Sequence, residues 1–152
     1  MGAPPEIKEN LLKVPFRITI GVTGHRKLEN EPIIRKTIRN IFREIRSQID
    51  CPPVTHLSYC LLSPLAEGAD RIAAEEVFVF DKDTTLKVVL PMILDEYIED
   101  FETEASKEQF NLLLDKARAK MSLRNQRLEL NYPDQMLKDV RRQAYEDVGQ
   151  FV

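Results

Sequence analysis

Long hydrophobic runs are missing from this chain of 152 residues. The longest, "VVLPMIL" at 88–94 and "YCLL" at 59–62, fall far short of the roughly 20 residues that a membrane-spanning helix needs. The opening "MGAPPEIKEN" lacks a basic start followed by an apolar stretch, so it does not read as a secretory signal, and a cytoplasmic setting is the simplest expectation. A basic excess is missing too. The formal net charge is −3 and the cations are interspersed with acids, whereas a nucleic-acid groove needs clustered cations and interleaved aromatics. Cysteine and histidine are scarce: Cys51, Cys60, His25 and His56 are the whole supply. None stands at zinc-ligand spacing, no metal site is expected, and the two cysteines read as structural. Nor can a histidine dyad or a Ser-His-acid arrangement be assembled.

What is present is ordinary globular material, 43% hydrophobic, enough for one domain with a sizeable core. Residues 1–15 read as a flexible leader with a Pro-Pro pair. "FRITIGV" is β-branched and alternating, which predicts a strand. In "EPIIRKTIRNIFREIRSQI" Ile33, Ile34, Ile38, Ile41, Phe42, Ile45 and Ile49 recur at helical spacing. Asn30 is placed to cap that helix, and Pro32 is tolerated in a first turn whose N–H groups have no helical partner. A strand "THLSYCLLS", a helix "DRIAAEEVFVF" and a strand "LKVVLPM" follow. This alternation predicts an α/β domain, a Rossmann-like doubly wound parallel sheet in three α/β/α layers. Helices are then predicted in "LDEYIEDF", "SKEQFNLLLDKARAKM" and "PDQMLKDVRRQAYEDVGQFV", with a short strand or loop in "LRNQRLELN" between the last two. The pattern ends on a helix where a further strand is expected, so 16–152 reads as one domain of a longer protein, lacking its last strand.

Ligands of open α/β sheets bind beyond the carboxyl ends of the strands. Two loops qualify. In "GVTGHR", Gly21 and Gly24 allow close backbone approach, Thr23 offers a hydroxyl, and Arg26 a planar fork for a phosphate. His25 either meets a phosphate, acts as a general acid or caps the next helix. The spacing matches neither G-x-G-x-x-G nor the P-loop, so alone the loop reads as a turn. In "SPLAEGAD", Ser63 ends a strand, Gly68 enters a helix, Asp70 complements that helix's dipole, and Glu67 is an acid in the loop itself. Side by side, the two loops would make a polar, anion-binding floor.

"TIGVTGHR", "LLSPLAEGADRIAAE" and "LKVVLPM", in that order, resemble the SLOG superfamily, the Rossmann-like domains of the Smf/DprA and LOG proteins. The first motif is similar to the start of the YpsA-like branch. The resemblance runs from Phe16 to about Phe110. It implies a site for a nucleotide or nucleotide derivative at Gly21, Thr23, Gly24, His25, Arg26, Ser63, Ala66, Glu67, Gly68, Ala69 and Asp70. It also implies a sensor or signalling module, often fused to an effector domain. The alternatives are a nucleoside-monophosphate phosphoribohydrolase or N-glycosidase, and a DprA-like single-strand DNA binder. The P-G-G-x-G-T-x-x-E motif of the LOG hydrolases is absent, the only glycines being at 2, 21, 24, 68 and 149. Catalysis would then need another carboxylate. Glu67, Asp95 and Glu96 are the candidates, with Tyr97 available to stack on a base. No cofactor is implied, and the free edge of a short sheet leaves a homo-oligomer open.

Overall fold

A computed structural model describes residues 14–52 and 55–152. The expected leader therefore lies outside the described residues, except that Val14 and Pro15 already belong to the first strand. The elements alternate as read: β1 (Val14–Gly21), α1 (Glu31–Ser47), β2 (Thr55–Ser63), α2 (Ala69–Phe80) and β3 (Thr85–Leu90). The order continues with α3 (Leu94–Ile98), α4 (Glu104–Asp115), β4 (Ala117–Ser122), α5 (Leu128–Asn131) and α6 (Asp134–Phe151). The four strands form one all-parallel sheet in the order β1-β2-β3-β4, flanked by helices, which is an α/β architecture consistent with a Rossmann-like doubly wound fold.

Local chemistry sets the ends of α1. The Asn30 side chain accepts a hydrogen bond from the Ile33 N–H at 3.3 Å, and Pro32 sits in the first turn. The isoleucine stripe is only partly used: Phe42 is buried, Ile38 packs against the core, and Ile33 and Ile41 stay at least half exposed. The core itself gathers Leu61, Leu86, Val88 and Leu90 from the sheet with Ala74 and Val77 of α2 and Phe110, Leu113 and Leu114 of α4. A fully buried aliphatic side chain contributes about 1.5–3 kcal/mol, so this sheet–helix contact holds the strand ends where the loops leave them.

One expectation needs correction. The predicted helix over 106–121 ends at Asp115, and Ala117–Ser122 is the fourth strand, paired with Leu86–Leu90. The segment 123–131, expected as a short strand or a loop, is a loop leading into the single turn α5. "ARAKM" is made of good helix formers, so only pairing with β3 turns it into a strand. Arg118 and Lys120, both exposed, suit its place at the sheet edge. No helix among the described residues is long and apolar enough to cross a membrane.

Candidate functional site

The β1 and β2 loops do emerge side by side, because β1 and β2 are neighbours and Gly21 is in register with Leu62. They meet as backbone packed on backbone. The Ala69 N–H, at the start of α2, donates to the His25 carbonyl at 3.2 Å, so His25 caps that helix through its main chain. Each loop glycine is explained by a close approach within the chain. A Cβ on Gly24 would stand 2.6 Å from the Ala69 Cβ, and one on Gly21 1.9 Å from the Val152 carbonyl oxygen. A Cβ on Gly68 would meet the carbonyl oxygens of His25 and Arg26 at 2.4 Å, and its φ of +82° is a conformation side chains rarely adopt.

The second loop turns inward. The buried Ser63 hydroxyl accepts from the Leu65 N–H at 3.0 Å, which helps hold Leu65 at a φ of +56°. Glu67 accepts from the Ser106 hydroxyl and lies 4.0 Å from Arg26. Ala66 and Ala69 are partly covered. Asp70 is buried, and its Oδ1 has no hydrogen-bond partner among the described residues. Burial pushes its carboxyl up to about 7, against the N–H groups of Ala66 and Gly24 and the charges of Arg26 and Arg71, which favour the anion. Arg71 beside it is also buried. It donates to the Leu65 carbonyl, to the Ser106 carbonyl and hydroxyl and to Gln109, and it lies 4.4 Å above the Phe101 ring.

The first loop faces outward. Thr23, Gly24, His25 and Arg26 are exposed, and across from Thr23 and Arg26 stands α6, which is not among the elements expected at the site. Between them opens a cleft of about 720 Å³, lined also by Asp100, Lys138, Arg141, Arg142, Tyr145, Glu146 and Gly149. Arg26 donates to the Tyr145 hydroxyl at 2.9 Å, with its guanidinium 5.1 Å from the ring centre. The Tyr145 hydroxyl donates in turn to the Asp100 carboxylate, which also holds Arg141. Burial and the Asp100 carboxylate raise the Tyr145 phenol well above its ordinary range. Burial works against the Arg26 charge, yet Tyr145, Tyr97 and Asp100 hold its guanidinium above the usual arginine range.

Three further candidates fall away from this cleft. Glu96 is fully buried and accepts from the Leu128 N–H at 3.2 Å and from Arg141 at 3.2 Å, so it anchors α5 and α6 to α3. Asp95 is solvated, 4.0 Å from Arg127. Tyr97 is buried against Phe101, Phe110 and Tyr145, which leaves no face for a base. The α6 residues carry a signal of their own in the sequence: Lys138, Arg141, Arg142 and Tyr145 stand three and four apart, one face of a helix. No protein-family model matches the chain. A search of curated proteins likewise finds no match.

Proposed function

We propose that this domain binds a nucleotide or nucleotide-derived anion and works as a sensor or signalling module, as its resemblance to the SLOG superfamily implies. One observation carries the reading. In a chain of net charge −3, the cleft beyond β1 gathers Arg26, Lys138, Arg141 and Arg142 against two acids, Asp100 and Glu146. Its volume suits a small ligand, the three arginine forks suit phosphate oxygens, and Thr23 adds a hydroxyl. Gly149 leaves the helix wall low beside Thr23, its absent Cβ lying 3.8 Å from the Thr23 hydroxyl.

Binding without turnover is favoured over hydrolysis by the state of the acids. Glu67 is bonded to Ser106, Glu96 is buried under Arg141, and Asp100 is held by Arg141 and Tyr145. Each of these three is already engaged by a donor, and the remaining acid of the cleft, Glu146, stands exposed on α6, without the sheltered setting that a general acid for a glycosidic nitrogen needs. On this reading the domain serves in the cytoplasm and reports ligand occupancy to a fused effector.

A thermal-shift panel with AMP, ADP, NAD, ADP-ribose and a cyclic nucleotide, on the wild type and Arg26→Ala, tests the proposal. A ligand at 100 times its dissociation constant stabilises the fold by about 2.7 kcal/mol, which for a domain of this size raises Tm by roughly 5–10 °C. Arg26→Ala should abolish that shift. A panel without any shift, or one that Arg26→Ala leaves intact, sinks the assignment. Release of free base from AMP would favour the hydrolase instead.

A further inference from the structure

Asp100 sits where an anionic ligand would be expected to sit. Its carboxylate takes the Arg141 guanidinium on one oxygen and the Tyr145 hydroxyl on the other. Its own carbonyl lies 3.5 Å from the Arg26 guanidinium, which also donates to Tyr145 at 2.9 Å. Two of the cleft's donors, Arg141 and the Tyr145 hydroxyl, are thus already held by one carboxylate supplied by the chain, and a third, Arg26, lies against the carbonyl of the same residue. That carboxylate is partly exposed, with 23% of the side chain accessible, whereas the other partner of Arg141, Glu96, is sealed at 0%. Of the two acids on Arg141, only Asp100 can be reached and exchanged from the cleft.

We infer that Asp100 is a tethered counter-anion that holds the cleft's donors and penalises an incoming phosphoryl group in proportion to its charge, a dianion such as a phosphate monoester or a terminal diphosphate more than a singly charged phosphodiester. The inference rests on the anion-binding reading of this cleft. The physical reason is charge exchange. A monoanion that displaces Asp100 from Arg141 and Tyr145 replaces one negative charge by another and leaves the displaced carboxylate nearby, repelling it. A dianion brings a second charge, which the displaced carboxylate repels as well, so Asp100 weighs about twice as heavily against a dianion as against a monoanion, opposing the pull of Arg26, Lys138 and Arg142. Displacement also frees the Tyr145 hydroxyl from Asp100, so occupancy changes what holds α6 against the loop.

The test compares AMP with 3′,5′-cyclic AMP, which share base and ribose but differ in phosphate charge, by calorimetry on the wild type, Asp100→Asn and Arg26→Ala. Asparagine removes the charge and keeps one acceptor oxygen for Arg141, while its NH2 can donate to the Tyr145 hydroxyl. Asp100→Asn should bind both ligands more tightly, AMP by roughly tenfold and by more than cyclic AMP, so that the variant favours AMP more strongly than the wild type does; equal gains, or a larger gain for cyclic AMP, overturn the charge-proportional penalty. Asp100→Ser is the second variant, should the asparagine protein be misfolded. Binding that depends on Arg26 but is unchanged or weakened in a folded Asp100 variant overturns the counter-anion and leaves the cleft assignment standing. Absence of binding by every protein overturns both. Failure of both Asp100 variants to fold makes Asp100 structural and overturns the inference.

Discussion

The loops after β1 and β2 look alike in sequence, each a glycine-bearing strand-to-helix connection with a polar residue on either side, yet the fold uses them in opposite ways. The β2 loop is a floor: Ser63, Leu65, Asp70 and Arg71 are buried and bonded to one another's neighbourhood. The β1 loop lies on that floor and turns Thr23 and Arg26 to the cleft opposite α6. A glycine in such a loop reports that something comes close. Here the close neighbours are Ala69, the carbonyls of His25 and Arg26, and Val152. The chain's own backbone fills the space that a ligand was expected to occupy, and the open space lies one wall further out.

If floor and wall differ in this way, substitutions in the floor should cost stability and those in the wall should cost binding. The largest effect is expected for Gly68→Ala. Its Cβ would meet two carbonyl oxygens at 2.4 Å in a backbone conformation reserved for glycine, so unfolding by denaturant should show a loss of about 4 kcal/mol or more. A loss under about 1 kcal/mol would mean that the loops part easily.

Arg141→Ala sharpens the comparison, because Arg141 serves both the wall and the anchor. It would leave the buried Glu96 without its cation, costing about 3 kcal/mol in the same measurement, and it should weaken AMP binding as well. Loss of binding with unchanged stability would show that Glu96 does not depend on it.

Asp70 gives the floor a pH signature. Its carboxyl is raised from an ordinary 3.8 to about 7, so between those values the folded state holds a proton that the unfolded chain releases. Stability must therefore fall as pH rises from about 4 to about 7, by roughly 2–4 kcal/mol for this group. Asp70→Asn, which never acquires the charge, should flatten that slope and be more stable than wild type at pH 8. Parallel pH–stability curves for the two proteins would place the Asp70 carboxyl in the ordinary range.

The smallest effect is expected at Gly149. An alanine Cβ there meets nothing closer than the Thr23 hydroxyl at 3.8 Å, and alanine favours a helix interior over glycine by about 0.5–1 kcal/mol. Gly149→Ala should raise Tm slightly while narrowing the cleft. A fall in Tm would mean that this part of α6 is held closer to the β1 loop than the open wall allows.

Much of the fold is legible because its signals are local. Asn30 before a run of isoleucines, the β-branched "FRITIG" and the terminated stretch "THLSYCLLS" each encode an element in the side chains of that element. The fourth strand is not legible, since "ARAKMS" prefers a helix and becomes a strand only against β3. The candidate site divides along the same line. Arg26 and Thr23 could be singled out because a glycine-bearing loop at a strand's carboxyl end is a local pattern. Arg141 and Tyr145 could be read as one face of a helix, but neither they nor Asp100 could be assigned to this cleft, for they stand up to 119 residues from Arg26 and meet it only when α6 folds back over the strand ends. Sequence by itself determined the alternation of strands and helices and the loop that faces the cleft, because hydrophobic period and capping act over a few residues. Only the tertiary structure decided which glycines serve packing and which cations share a cleft, because both depend on distances that close between segments remote along the chain.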